Sequence, residues 1–212
     1  VSRGRAQPGQ PAQFVTGFAD DDAQERPATP HLSIVDAEGN AVALTSSIED
    51  AFGSRIMLHG FLLNNQLTDF SFVPEQEGRQ VANRVEPGKR PLSSMAPTFV
   101  FDATGKLLLV LGSPGGGHII NYVAQTLVAL LDWNMAAAEA LAMPHFGSRN
   151  GPTDLERGTA AEGLAPQLRA RGHEVNLIHM TSGLHLVQRN NQGWLGVADP
   201  RREGVARGAA AD

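Results

Sequence analysis

Apolar and polar residues alternate over His31-Leu32-Ser33-Ile34-Val35-Asp36, break at Glu38-Gly39-Asn40 and resume from Ala41 to Ser47. That period of two around a turn predicts a β-hairpin. A further strand is predicted over Arg55 to Leu63, and a second hairpin over Thr98–Asp102 and Lys106–Leu111 around Ala103-Thr104-Gly105. Between them, residues 71–90 are polar with scattered Pro and Gly, a long loop of the kind that often carries function. The period then lengthens. Ile119, Ile120, Val123, Leu127, Val128, Leu130 and Leu131 predict a helix from His118 to Trp133 with a broad buried face. Helices follow over Met135–Ala142 and Gly163–Arg171, the second closed by Gly172 as a C-cap. Strands near Glu174–His179, Leu184–Arg189 and Trp194–Val197 close the chain. Hairpins mixed with segregated helices predict a layered α+β fold, not a doubly wound parallel sheet. Residues 1–28 show little apolar periodicity: Gly4, Pro8, Gly9 and Pro11 precede an acidic cluster at Asp20, Asp21, Asp22 and Glu25, which reads as a flexible or extended leader. The expected division is thus 1–28 and a single domain over 29–212.

Composition narrows the function classes. With 212 residues and 42% hydrophobic residues the chain supports one real core. A net charge of −5 without a basic stripe argues against nucleic acid as a partner. The longest apolar run, Ile119 to Leu131, is interrupted by Asn121, Gln125 and Thr126, so no membrane span is expected. The absence of cysteine excludes disulfides, zinc–thiolate sites and thiol catalysis, and suits cytoplasm and periplasm equally. Seven histidines are scattered with no His-Glu-x-x-His spacing, so neither a metal nor another cofactor is expected.

Candidate chemistry begins at Ala28-Thr29-Pro30, at the mouth of the first predicted strand. A threonine released there by cleavage carries a hydroxyl nucleophile and a free α-amine on one residue. Such an amine titrates near pH ~8, so part of it is unprotonated at neutral pH and serves as base. The loop Gly112-Ser113-Pro114-Gly115-Gly116-Gly117 has three readings. A phosphate loop fails, because His118 follows the last glycine in place of Lys-Ser/Thr. A tight strand-to-helix turn and a backbone oxyanion site at Gly115 and Gly116 both remain.

Four motifs in order carry a resemblance: Thr29-Pro30-His31; Gly60-Phe61-Leu62-Leu63-Asn64-Asn65-Gln66-Leu67-Thr68-Asp69; Pro87-Gly88-Lys89-Arg90-Pro91-Leu92-Ser93-Ser94-Met95; and the glycine loop, followed near the end by Gly196-Val197-Ala198-Asp199-Pro200-Arg201. From about Thr29 onward the chain resembles the small, catalytic subunit of γ-glutamyltranspeptidases (glutathione hydrolases), which are N-terminal-nucleophile hydrolases. The resemblance implies a four-layer αββα sandwich, incomplete without the large subunit of the same precursor, to which residues 1–28 would belong. It implies autocleavage between Ala28 and Thr29, Thr29 as nucleophile, and Ser47 in place of a threonine that hydrogen-bonds it. It places oxyanion donors at Gly115 and Gly116, the substrate ammonium on Asp69 with Gln66 beside it, and the α-carboxylate on Ser93 and Ser94. His31 and Thr45 would support the site. The expected substrate is a γ-glutamyl amide, and the arginine that clamps its carboxylate would come from the large subunit.

Three departures bear on substrate. Glu49 stands where many transpeptidases have an asparagine, giving with Asp69 a doubly acidic clamp. Pro30 replaces a usual second threonine and confines Thr29 to extended conformations. The 71–90 loop looks shorter than a covering lid and lacks an aromatic gate. These departures raise one alternative, an acylase of glutaryl or cephalosporin type with the same mechanism; a small subunit without its large subunit, which would expose a wide apolar interface, raises another, an inactive partial chain.

Overall fold

The computed structural model describes residues 17–19 and 29–208. The alternating stretch forms β1 (His31–Val35) and β2 (Ala41–Thr45), paired antiparallel. Asp36 closes their turn by accepting from Asn40 N at 2.7 Å and Asn40 Nδ2 at 2.8 Å. The single strand expected over 55–63 is instead a tight hairpin, β3 (Met57–Leu58) and β4 (Phe61–Leu62). His59 and Gly60 both take positive φ, 51° and 86°, as a type I′ turn requires. The long polar loop contains a similar hairpin, β5 (Glu75–Gln76) and β6 (Arg79–Gln80).

β7 (Thr98–Phe101) and β8 (Leu107–Gly112) come next, then α1 (Ile119–Leu131) and α2 (Ala137–Ala142). Two short strands that the sequence pattern missed, β9 (Phe146–Ser148) and β10 (Thr153–Glu156), lie before α3 (Ala165–Ala170). Three or four residues are too few for a period to register. Gly172 does close α3, at φ 89°, where a side chain would be strained. β11 (Val175–Ile178), β12 (His185–Asn190) and β13 (Gly193–Ala198) complete the chain.

The main sheet runs β13-β12-β8-β7, antiparallel throughout, while β10 joins β9 antiparallel and β11 parallel in a smaller one. The helices α1 and α2 pack on one face of the main sheet, and the β1–β2 hairpin packs on the other against β8 and β12. The layers are thus helix, sheet, sheet: three of the four in an αββα sandwich. β8 is covered on both sides, which explains its unbroken apolar run. Leu109 and Leu111 join Ile119, Tyr122, Val123, Leu130, Leu141, Leu184 and Leu186 in the core. The buried stripe of α1 is narrower than expected, because Ile120, Val128 and Leu131 face outward.

The hairpin's two faces are reversed from those of a surface ribbon. Its inner face carries His31, Ser33, Ala43 and Thr45; its outer face pairs Leu32 with Leu44 and Ile34 with Val42, all four 40–52% exposed. Of the expected leader only Gly17–Ala19 is described: Ala19 is buried and its N–H donates to Gln80 O at 2.8 Å. The rest of residues 1–28 lies outside the described residues.

Candidate active site

Thr29 sits immediately before β1 and is 6% exposed. The N–H of Ser46 donates to Pro30 O at 3.1 Å, which zips the chain after Thr29 to the end of β2 and draws Ser47 to its side. Ser47 Oγ accepts the N–H of Glu49 at 2.9 Å, so its own hydrogen is left to donate elsewhere. That contact belongs to a tight turn in which Glu49 is buried at φ 72°. A non-glycine residue there is strained and persists only where neighbours hold it. Asn65 does so: its Nδ2 donates to Glu49 Oε2 at 2.5 Å, and its Oδ1 accepts from Asp50 N at 3.0 Å. Thr68 Oγ1 adds a weaker donor to Glu49 Oε2 at 3.4 Å.

One turn of 3-10 helix, Gln66–Asp69, follows Asn65 and delivers buried Asp69, whose Oδ2 accepts from Gln66 Nε2. Asn83 ties this turn to the next motif. Its Nδ2 donates to Asp69 O at 2.6 Å, its Oδ1 accepts from Leu92 N at 3.0 Å, and its backbone O accepts from Ser71 N at 3.0 Å. Ser93 and Ser94 come directly after that anchor, Ser93 exposed and Ser94 buried. Asn65 and Asn83 were not singled out by the sequence. An asparagine in a polar loop has no periodic signature, and only the fold shows what its amide spans.

Thr29, Ser47, Glu49, Gln66, Asp69, Ser93 and Gly116 line one pocket, with Met95 and Ile119 as its apolar members. Seven of the candidates, drawn from five separate stretches of the chain, therefore converge. Ser94 and Gly115 are buried beside it without lining it, and Ala28 lies outside the described residues. The pocket holds about 20 Å³, the room of a single water molecule. Two carboxylates and no Lys or Arg line it, a wall suited to a cation. On the other side of Thr29 a wider cleft of about 630 Å³ opens between β1, β12 and residues 202–207.

The glycine loop, where β8 gives way to α1, contributes Gly116 to the pocket. Gly115 and Gly116 take φ of 137° and 58°, and a Cβ on Gly115 would lie 2.5 Å from Tyr122 Cε2. The tight-turn reading therefore holds, and glycine is required by both conformation and space.

His31 packs at the start of the glycine loop. Its ring lies against Gly112, where an added Cβ would come within 2.1 Å. Ser33 Oγ donates to His185 O at 3.3 Å and so accepts from His31 Nε2 at 3.1 Å, leaving Nδ1 to accept from Thr45 Oγ1 at 2.7 Å. That ordering is satisfied by a neutral imidazole protonated at Nε2. Burial, and secondarily His185, lowers the pKa of His31 to about 4, which agrees with the neutral form.

A helix–sheet–sheet stack with a threonine at the head of its hairpin layer is the arrangement of the N-terminal-nucleophile hydrolase class, whose γ-glutamyltranspeptidase structures this fold matches. Within that class the chain belongs to the γ-glutamyltranspeptidase family, whose model, described as Gamma-glutamyltranspeptidase, matches residues 3–209. The glutathione hydrolase proenzyme of Escherichia coli K12 is 42% identical over 183 residues, covering 82% of this chain and 31% of that protein. The γ-glutamyltranspeptidase of Pseudomonas nitroreducens complexed with L-DON superposes with a TM-score of 0.76 at 31% identity, over 85% of this chain and 99% of that one. The cephalosporin acylase of Bacillus halodurans is a more distant likeness: TM-score 0.70, 25% identity, 86% of this chain and 35% of that one. The chain spans about a third of the length of the curated relatives it matches.

Proposed function

We propose that this chain is the nucleophile-bearing part of an enzyme that cleaves γ-glutamyl amides such as glutathione, passing the acyl group to water or to an amino-acid amine. The observation that carries this reading is the convergence of Thr29, Ser47, Glu49, Gln66, Asp69, Ser93 and Gly116 on one pocket. Cleavage before Thr29 frees its α-amine. Thr29 Oγ then attacks the γ-carbonyl as the amine takes the hydroxyl proton, and the proton passes to the departing amine when the C–N bond breaks. Backbone N–H groups at Gly115 and Gly116 hold the oxyanion, a role whose loss typically costs ~3–4 kcal/mol. Water or a second amine reverses the sequence and releases Thr29.

Recognition follows charge. Asp69 and Glu49 grip the substrate ammonium, which displaces the Gln66 amide from Asp69 and opens the pocket. Ser93 and Ser94 take the α-carboxylate. The two acidic groups favour γ-glutamyl over glutaryl substrates, because a glutaryl group has no ammonium and would leave both carboxylates desolvated without a cation. In the precursor the same hydroxyl attacks the Ala28 carbonyl, with residues 1–28 the tail of the large subunit. That subunit is the proposed partner, supplying the fourth layer over Leu32, Ile34, Val42 and Leu44 and the carboxylate-binding arginine.

Initial rates on a γ-glutamyl anilide and on a glutaryl amide, measured on protein expressed from the full gene, test this. The account expects the first to exceed the second by at least about 100-fold. The reverse ranking would favour the acylase, and failure on both the inactive chain.

A further inference from the structure

Away from the pocket, Arg201 is half-buried with every donor used. Its Nε and Nη2 donate to Glu156 Oε1 at 2.6 Å and Oε2 at 2.9 Å. Nη2 also donates to Met143 O at 2.8 Å, and Nη1 to Leu141 O at 2.9 Å and Asp199 Oδ1 at 3.1 Å. Five N–H groups meet five acceptors, the full capacity of a guanidinium. Asp199, 2% exposed, also accepts Arg201 N at 2.9 Å, Leu184 N at 3.2 Å and Ser182 Oγ at 2.5 Å. Ser182 in turn accepts from His145 Nε2 at 2.8 Å. The order His–Ser–Asp, with serine in the middle giving its proton to the carboxylate, is not that of a nucleophile triad. A buried charge cluster of this kind adds little net stability over a hydrophobic replacement, so its geometry calls for another use.

The network reaches the glycine loop along two paths. Next to Ser182, Gly183 N donates to Ser113 Oγ at 3.2 Å, and Ser113 Oγ donates to Pro114 O at 2.7 Å. The approach is so close that a Cβ on Gly183 would lie 2.7 Å from Pro114 Cγ. The second path runs from the His145 ring to the Tyr122 ring, their centroids 4.4 Å apart, and Tyr122 itself fills the space a side chain on Gly115 would need. The two paths are joined by the hydrogen bond between His145 and Ser182.

We propose that His145, Ser182 and Asp199, locked by Arg201 and Glu156, brace the glycine loop and are positioning residues for the oxyanion donors behind Thr29. This rests on the oxyanion reading of Gly115 and Gly116. The brace touches no reacting atom; it sets where two backbone N–H groups stand. Displacing such donors by about 1 Å costs on the order of 100-fold in rate, without changing how the substrate's charged ends are held.

Two variants test it in enzyme expressed from the full gene. Ser182→Ala removes the central hydroxyl; His145→Phe keeps a ring against Tyr122 and loses Nε2. Each is expected to lower kcat on a γ-glutamyl anilide by about 10- to 100-fold with KM within about twofold. A γ-glutamyl-like boronic acid, which forms a tetrahedral adduct on a hydroxyl, should lose affinity by the same factor while L-glutamate as competitor does not. Amides of residues 115–117 should exchange at least about tenfold faster, with those of 109–111 unchanged. Where truncation prevents folding, the near-isosteric Asp199→Asn supplies the same ratios. Unchanged loop exchange would overturn the brace, as would equal losses for L-glutamate and the boronate. Faster loop exchange with unchanged kcat would overturn the oxyanion reading and the catalytic consequence drawn from it.

Discussion

Residues 46–97 and residues 98–199 are built on different principles. The first stretch has no element longer than four residues, and Phe52, Leu67 and Phe72 are 65–83% exposed. What holds it are amides and hydroxyls bridging backbone: Asn65 across the Glu49 turn, Asn83 across to Leu92, and Ser71 Oγ donating to Val73 O at 2.9 Å. The second stretch is a packed core in which Leu111, Leu141 and Leu184 have no exposure at all. The proposed recognition residues sit on the bonded arm and the glycine loop on the packed core, with Thr29 and Ser47 at the seam. In the proposed function, selectivity and chemistry are carried on separable parts.

The comparison can be broken at the seam first. Thr29→Ala should remove both self-cleavage and turnover, a loss on the order of 10⁴-fold or more, read by gel and by anilide hydrolysis; residual cleavage before residue 29 would sink the mechanism. On the arm, Asp69→Asn should raise KM for a γ-glutamyl anilide by about 10- to 100-fold, the scale of a charge-assisted contact, and leave the melting temperature nearly unchanged. In the core the pattern inverts: Leu184→Ala should cost about 2–5 kcal/mol by denaturant unfolding, with KM in the surviving folded enzyme unaltered.

Acid should act on the seam too. The folded-state pKa of His31 lies near 4, below the ordinary value of 6.5. Its contribution to stability is therefore complete above pH 6.5 and is lost as pH falls through 4, because the unfolded chain takes up a proton that the folded one refuses. Burial, then Arg201, shifts His145 the same way. For His31 alone the loss is on the order of 2–3 kcal/mol, seen as a fall in urea midpoint between pH 6.5 and 4 that His31→Gln flattens. The smallest effect belongs to the arm's surface: Leu67→Ala, at a site 75% exposed, should change unfolding free energy by less than about 0.5 kcal/mol.

Legibility in the sequence follows the same divide. The hairpins at 31–45 and 98–112, α1 and the closing strands were readable because each repeats a period over enough residues. The turn at His59–Gly60 was not, since apolar residues on both sides of it mimic one strand, and β9 and β10 were too short to register. The candidate pocket was legible only through the resemblance carried by the motifs; composition and spacing alone left the glycine loop open between turn and oxyanion site. Asn65, Asn83 and the His145–Ser182–Asp199 brace escaped, because their partners lie 9 to 37 residues away or act through a neighbour's backbone.

Intact mass with N-terminal sequencing, on purified protein expressed from the full gene, bears most directly on the claim that Thr29 is a self-released nucleophile. A fragment beginning at Thr29, formed by the wild type and absent from Thr29→Ala, is the predicted result. A stable chain continuous through Ala28–Thr29 in the wild type would contradict it.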